Sequence, residues 1–335
     1  MKIFRRDARS GIRLLTILAA LQISMSLVSS AQAQTYEWIE PSLRSAPPAR
    51  EDSSMTFDGA TNSMVLFGGT IEPGYQYLGD TWIFTPTAGW LQLFPATSPS
   101  PRGGAAFVYD PVLKMALLFG GGTAQGNGLL GDTWTWDGTT WTQQFPPVSP
   151  PPHAFNTEQM AFDASTGTVL LFGGFGPNGT YFGDTWIWNG ITWSERLPAT
   201  SPSPRNTTLT YDAATKQVIL FGGASSEGLL DDTWTWNGVT WTQHFPPSSP
   251  SPRVNIGLAY DPKIGKVVLF GGINSDSQSL GDTWTWDGTT WTQIQSIGTS
   301  PSPRWSPSFA YDPQFEGALL FGGGYGPVNQ TWLFR

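Results

Sequence analysis

The stretch GDTWTWDGTTWTQ occupies residues 131–143 and recurs letter for letter at residues 281–293. Its Thr-Trp-Thr-Trp segment alternates with the two-residue period of a β-strand, so its two tryptophans lie on one face of a sheet. The Asp-Gly pair that follows, Asp137-Gly138 in the first copy, is typical of a two-residue hairpin turn. The stretch therefore predicts a β-hairpin that the chain contains at least twice.

Parts of this hairpin recur along the chain with a period of about 50 residues. The Asp-Thr-Trp triplet begins at Asp80, Asp132, Asp184, Asp232 and Asp282, and a degraded copy begins at Gln330. A Phe-Gly-Gly triplet begins at Phe67, Phe119, Phe172, Phe221, Phe270 and Phe321. A pair of an aromatic residue and Asp ends at Asp58, Asp110, Asp163, Asp212, Asp261 and Asp312. Three markers in one phase predict six copies of a single unit.

Each copy is predicted to contain four strands, A to D. In the second copy they span residues 104–109, 115–119, 133–136 and 140–144, and no window shows a sustained helical period. The last copy ends after strand C, whereas the segment around Trp38 has the form of a strand D. We therefore predict an all-β, six-bladed β-propeller over residues 34–335, with four antiparallel strands per blade and the N-terminal strand completing the last blade.

Residues 1–33 are predicted to be a signal peptide. Five basic residues precede an apolar run over residues 14–28, and Ala31-Gln32-Ala33 supplies the small residues of a cleavage site. We therefore expect an exported protein, periplasmic or extracellular after cleavage. No later segment approaches the roughly 18 apolar residues of a transmembrane helix, so no membrane span is expected.

Charge and composition exclude several classes of function. The leader contains five of the 17 basic residues and one of the 25 acidic residues, so removing it leaves a net charge of −12. Such a charge argues against nucleic acid and anionic membrane surfaces as partners. The absence of cysteine excludes disulfides, thiolate metal sites and cysteine nucleophiles. No catalytic constellation, metal motif or cofactor motif is recognisable, and we expect a monomer without a cofactor.

Three recurring features resemble kelch repeats. They are paired glycines after an apolar strand (Gly120-Gly121), Pro-Arg before strand A (Pro101-Arg102) and a tryptophan in strand D (Trp141). The resemblance covers residues 35–335 and implies a propeller similar to exported bacterial kelch proteins and to the central domain of galactose oxidase. The copper-radical activity of galactose oxidase is excluded, because it needs a cysteine crosslinked to a tyrosine. Kelch propellers include binding modules, glycan-related enzymes and scaffolds, so the resemblance leaves the function open.

Chain direction predicts which connections share a face. The A–B and C–D turns are short and form one face, here called the turn face. The B–C connections, which include predicted loops over residues 175–183 and 224–231, and the D–A connections are longer and vary between copies. They form the opposite face, here called the loop-rich face. We expect binding at the loop-rich face, around the central channel, because variable loops on a constant scaffold commonly contain the binding site.

The candidate ligand-binding residues lie on that face. Four are the Pro-Arg arginines, namely Arg102, Arg205, Arg253 and Arg304; Arg50 follows Ala, and His153 replaces Arg in the third copy. These guanidinium groups could hold a carboxylate, or each could brace its own blade through backbone carbonyls or a repeat Asp. The other candidates depart from the repeat or lie in B–C loops: Glu158, Trp305, Tyr75, Tyr181 and Tyr325. For Trp305, stacking on a sugar or anchoring a partner and packing against neighbouring loops both stay open.

Two functions from different classes follow. The first is a non-catalytic binding or scaffolding propeller that recognises a glycan or an exported protein through the loop-rich face. The alternative is a sugar-acid isomerase or mutarotase that uses the arginines and Glu158 at the channel mouth. A purely structural envelope component is the third possibility.

Overall fold

The computed structural model describes residues 35–71, 76–123, 128–154, 159–324 and 328–335. The predicted signal peptide, residues 1–33, lies outside these ranges. The described residues form six four-stranded antiparallel sheets, whose innermost strands neighbour one another in a closed ring. The prediction of a six-bladed β-propeller is therefore confirmed.

The strands follow the chain from blade to blade. The chain begins with β1 (Trp38–Ile39). Blade 1 contains β2 (Ser54–Asp58), β3 (Ser63–Phe67), a short hairpin of β4 (Thr70–Ile71) and β5 (Gln76–Tyr77), then β6 (Thr81–Thr85) and β7 (Gly89–Leu93). Blade 2 contains β8 (Ala106–Asp110), β9 (Met115–Phe119), β10 (Thr133–Trp136) and β11 (Trp141–Gln144). Blade 3 contains β12 (Met160–Asp163), β13 (Thr168–Phe175), a 3-10 turn at Pro177–Gly179, β14 (Tyr181–Trp188) and β15 (Trp193–Arg196).

The last three blades close the ring. Blade 4 contains β16 (Asn206–Asp212), β17 (Gln217–Ser225), β18 (Gly228–Trp236) and β19 (Trp241–His244). Blade 5 contains β20 (Gly257–Asp261), β21 (Lys266–Phe270), β22 (Thr283–Trp286) and β23 (Trp291–Ile294). Blade 6 contains β24 (Ser308–Asp312), β25 (Gly317–Phe321) and β26 (Thr331–Phe334), and β1 pairs with β26 as its outer strand. The N-terminal strand thus completes the last blade, as the sequence predicts.

Two details of the predicted hairpins are wrong. The C–D connection of blade 2 has four residues, because Trp136 pairs with Trp141 and the Asp137 carboxylate accepts the N–H groups of Thr139 and Thr140. Only Gly138 in this turn has a positive φ, 97°. Because the side chain of Asp137 organises the turn, strand D begins at Trp141 rather than at residue 140.

The B–C connections of blades 3 and 4 also differ from the prediction. We expected loops over residues 175–183 and 224–231, but β13 and β17 continue through their Gly-Gly pairs and form long hairpins with β14 and β18. Their pairing registers shift between Phe172 and Gly174 and between Phe221 and Gly223. The glycines therefore form a bulge inside these strands rather than ending them.

The hydrophobic core lies between the blades. Within the described residues, six apolar clusters occur, one at each interface between neighbouring blades. The strand D tryptophan of each blade is buried there and donates its indole N–H to the first Thr of strand C in the preceding blade. These bonds, 2.9–3.1 Å long, join Trp90 to Thr331, Trp141 to Thr81, Trp193 to Thr133, Trp241 to Thr185, Trp291 to Thr233 and Trp38 to Thr283. Burying each large side chain contributes about 1.5–3 kcal/mol.

Candidate functional site

The Pro-Arg arginines lie inside the blades. The Arg102 side chain is 1% exposed, and its Nη1 and Nη2 donate to Oδ1 and Oδ2 of Asp132 at 2.6 and 2.9 Å. Nη1 also donates to the carbonyl of Gly120. The same bidentate pairs join Arg50 to Asp80, Arg205 to Asp232 and Arg253 to Asp282. The bracing interpretation is confirmed for these arginines, and ligand binding by Arg102, Arg205 and Arg253 stays a prediction.

The pair of a buried arginine and the Asp of its own blade, here called the brace, also explains the Asp-Thr-Trp triplet. In blade 2, Asp132 accepts the Arg102 guanidinium, Thr133 accepts the tryptophan of blade 3, and the Trp134 indole donates to Asp132 Oδ2 at 2.7 Å. Burial by itself raises the pKa of Asp132. The hydrogen bonds and charge of Arg102, together with the Trp134 bond, outweigh burial and lower that pKa. Each residue of the triplet thus has a distinct contact.

The backbone at the same position links neighbouring blades. The Gly69 N–H of blade 1 donates to the Arg102 carbonyl at 2.9 Å, and the Arg102 N–H donates to the Leu78 carbonyl. Equivalent bonds to a carbonyl join Gly121 to His153, Gly174 to Arg205, Gly223 to Arg253, Gly272 to Arg304 and Gly323 to Arg50. These glycines have φ between 98° and 116°, which explains the second glycine of each Phe-Gly-Gly triplet.

His153 takes the arginine's place in blade 3. Its side chain is fully buried, with Nδ1 2.5 Å from the carbonyl oxygen of Pro151 and Nε2 3.6 Å from Asp184 Oδ1. The Phe182 ring packs against the imidazole at a centroid distance of 4.2 Å. Although burial raises the pKa of Asp184, the contacts with His153 and Trp186 outweigh burial and lower it. His153 is therefore part of the blade 3 brace.

Trp305 lies at the junction between blades 6 and 1. Its indole Nε1 donates to Glu51 Oε2 at 3.0 Å. Glu51 and Trp305 occupy the same repeat position, directly after the arginine, and Glu51 is 7% exposed while Trp305 is half-buried. Gly324 lies beneath both side chains, and a Cβ there would overlap the indole and the carboxylate. Trp305 thus packs against a neighbouring loop while part of its ring stays exposed.

Asp52 lies beside this contact. Burial and, to a smaller extent, the charge of the adjacent Glu51 together raise its pKa to about 7, and the nearby Ser306 hydroxyl partly opposes this shift. Asp52 also has a left-handed backbone, with φ of 53°. The junction between blades 6 and 1 therefore contains two neighbouring acidic side chains, of which Asp52 gains a proton near neutral pH.

Blade 6 departs from the brace of the other blades. Gln330 stands where they have Asp, and its Oε1 accepts the Arg304 Nη2 at 2.9 Å. Arg304 is as buried as the other arginines, at 1% exposure. Burial lowers its pKa to about 10, and the charge of Glu40 only partly opposes this.

The remaining candidates are spread over the loop-rich face. Tyr181 is half-buried near the tip of the blade 3 hairpin and packs edge-on against Phe175, with ring centroids 5.6 Å apart. Glu158, Tyr75 and Tyr325 lie outside the described residues. Of the described candidates, Arg304 and Trp305 are adjacent in blade 6, and His153 and Tyr181 both belong to blade 3. Arg102, Arg205 and Arg253 lie in blades 2, 4 and 5, one in each.

Across the described ranges, no group of three or more His, Asp or Glu side chains is arranged to hold a metal ion. The central channel contains a cavity of about 210 Å³, lined by strand A residues that are mostly apolar. In the part of the chain that the structure describes, no helix is long and apolar enough to cross a membrane.

Sequence reasoning missed Glu51, Asp52 and Trp332 as parts of this face. Two signals could have found them. Glu51 and Trp305 occupy a position that differs in all six copies, and the ring closure makes their blades neighbours. Gln330 interrupts the Asp-Thr-Trp triplet, which leaves Arg304 and Trp332 without their usual carboxylate.

Comparison with known proteins agrees with this architecture. Residues 112–323, more than half of the chain, match the family model described as the KLHDC2/KLHL20/DRC7 Kelch-repeats domain. The F-box/kelch-repeat protein At1g51550 of Arabidopsis thaliana is 29% identical over 199 residues, which cover 53% of this chain. The match spans 40% of the length of the Arabidopsis protein. The six repeated blades and the family match together show that the chain belongs to the kelch-repeat family.

Proposed function

We propose that the chain is an exported, non-catalytic binding propeller that recognises a protein partner through its loop-rich face. Kelch propellers typically serve as scaffolds for protein interaction. The export part of the proposal depends on the predicted signal peptide of residues 1–33.

One observation carries the choice of face. Four large apolar side chains, here called the apolar rim, lie 83–89% exposed at the same position of blades 1 to 4: Phe94, Phe145, Leu197 and Phe245. Each directly follows strand D, at the edge of the loop-rich face, and each is followed by a proline. Exposed apolar side chains of this size, repeated at one position, supply apolar surface that a protein partner can cover. Burying each on a partner would contribute about 1.5–3 kcal/mol.

The enzymatic alternative has less support. The described arginines on which it depends are engaged inside the blades, and Glu158 lies outside the described residues. No specific contact therefore favours a sugar-acid reaction at the channel mouth.

The apolar rim can be tested by replacing all four side chains with Ser. The matched control is a variant with Val112, Ile191 and Val239 replaced by Ser, because these exposed apolar residues lie in turns of the opposite face. The wild-type chain and both variants would be used as baits for the exported proteins of the source organism, with quantitative mass spectrometry. We expect specific partners that the control retains and the rim variant loses.

Two results would overturn the proposal. One is equal capture of the same partners by the rim variant and the wild type. The other is saturable binding to a glycan array without any rim-dependent protein, which would identify a glycan-binding module instead. Circular dichroism of both variants ensures that a loss of capture reflects the surface and not unfolding.

A further inference from the structure

Five of the six blades hold a carboxylate at one position of the loop-rich face. In blade 5, Asp282 Oδ1 accepts the Arg253 Nη1, and Asp282 Oδ2 accepts both Arg253 Nη2 and the Trp284 indole. The equivalent tryptophans donate to their Asp at 2.5–2.7 Å in all five blades. Each such carboxylate therefore satisfies an indole N–H and, except in blade 3, a buried guanidinium.

Blade 6 keeps the donors but lacks the carboxylate. Gln330 Oε1 accepts only the Arg304 Nη2. Arg304 Nη1 donates to the Gly322 carbonyl at 3.0 Å, and its second hydrogen has no acceptor among the described residues. Two of the three contacts that Asp282 makes in blade 5 are therefore absent from blade 6.

Trp332 provides an independent sign of the missing acceptor. Its side chain is 5% exposed, and its indole Nε1 is buried without a hydrogen-bond partner in the described part of the chain. Leaving a buried donor unsatisfied is unfavourable, because the N–H loses its hydrogen bond to water and gains none in return. The buried Arg304 charge adds to this cost, because no carboxylate of the described residues neutralises it at contact.

We propose that blade 6 binds a carboxylate from outside the chain, between Arg304 and Trp332, where the other blades hold their own Asp. The position can be reached from solvent, because the Asp side chains of blades 1, 2, 4 and 5 are 19–22% exposed there and Gln330 is half-buried. The incoming group accepts the free Arg304 Nη1 hydrogen and the Trp332 N–H.

The source of this carboxylate rests on the proposed function. On the loop-rich face of a protein-binding propeller, it is an Asp or Glu side chain of the partner. The negative net charge of the chain opposes an acidic partner at long range, but this repulsion is screened beyond about 8 Å at 0.15 M ionic strength. At contact, the desolvated Arg304 dominates, although the charge of Glu40 weakens the site.

The test uses the indole N–H signals of the ¹⁵N-labelled protein, of which the chain has 17. Trp332→Phe identifies the signal of Trp332. Sodium acetate, the amide-capped amino acid N-acetyl-aspartate methylamide and sodium chloride are titrated at constant ionic strength. Gln330→Asp and Gln330→Glu restore an internal carboxylate, whereas Asp282→Gln creates the same gap in blade 5.

We expect acetate and the capped aspartate, but not chloride, to shift the Trp332 signal saturably. Affinity should fall at least tenfold in Gln330→Asp and Gln330→Glu, and Asp282→Gln should make the Trp284 signal respond. No shift of the Trp332 signal, or an equal shift with chloride or in both restored variants (an adventitious ion only), would overturn the proposal. Because no partner is needed, this test can succeed even if the apolar rim captures nothing.

Discussion

Trp305 and Glu51 are 254 residues apart in sequence, yet the indole N–H of Trp305 donates to the Glu51 carboxylate at 3.0 Å. The contact joins blades 6 and 1 on the loop-rich face, whereas the pairing of β1 with β26 lies within blade 6. Both side chains occupy the position directly after the arginine, which differs in all six copies. The ring closure is therefore reinforced by a contact that the other blades do not have at this position.

This contact predicts a local effect on stability. A hydrogen bond to a charged group contributes about 1.5–3 kcal/mol, so Trp305→Phe, which keeps the ring but removes the N–H, should lower the free energy of unfolding by roughly 1–2 kcal/mol. Gly324→Ala should cost more, because its Cβ would overlap both side chains. Urea denaturation measures both effects. Equal stability of Trp305→Phe and wild type would show that the bond adds nothing to closure.

The bonds between tryptophan and threonine predict that the closing blade is held like the others. Thr283→Val removes the acceptor of Trp38, and Thr133→Val removes that of Trp193, with little change in side-chain volume. Each should lower the free energy of unfolding by about 1–3 kcal/mol, because a buried indole N–H loses its partner. Thermal and urea unfolding of the two variants can be compared directly. A much smaller effect for Thr283→Val would mean that β1 is loosely held.

Much of this architecture could be predicted from sequence because it repeats. The phase of Trp38 with the other strand D tryptophans was sufficient to place β1 in blade 6. The hairpins of blades 3 and 4 could not be predicted, since a Gly-Gly pair that ends a strand and one that forms a bulge have the same letters. The orientation of the Arg102 side chain also stayed open. An arginine that braces its blade and one that faces the channel would recur in the same way from copy to copy. The contact of Trp305 with Glu51 could not be predicted either, because these residues do not recur in the other copies and meet only when ring closure makes blades 6 and 1 neighbours.

The arginine brace predicts a dependence of stability on pH. Arg102→Met should lower the free energy of unfolding at pH 7 by about 2 kcal/mol; this lies below the range for fully buried pairs, because a fifth of the Asp132 side chain is exposed. Since the folded state lowers the pKa of Asp132, the stabilisation is present above the unfolded pKa of 3.8 and is lost as the pH falls through the folded value. Denaturation at pH 7, 5 and 3 should show the difference between wild type and variant shrinking only below about pH 4.

The surface pair of Lys263 and Glu316 provides the control for this experiment. Both side chains are at least half exposed, so Lys263→Met should leave the urea midpoint at pH 7 unchanged. An effect as large as that of Arg102→Met would show that the method does not separate buried from surface pairs. A difference for Arg102→Met that persisted unchanged at pH 3 would assign the loss to packing of the arginine stem instead of its charge.

Asp52 predicts the opposite pH dependence. Burial beside Glu51 raises its pKa to about 7, so the folded state holds a proton that the unfolded state releases above 3.8. The resulting loss of stability grows as the pH rises from about 4 to 7 and is complete above 7. Asp52→Asn removes this titration and suits the left-handed backbone at this position, where φ is 53°. The variant should therefore be more stable than wild type at pH 8. This gain in the free energy of unfolding should decline as the pH falls from about 7 to 4, and it should disappear below about pH 4.

The control is Asp276→Asn, on an exposed loop of the same face, which should show no such trend. An Asp52→Asn variant less stable than wild type at pH 8 would mean that the ionised carboxylate stabilises the junction.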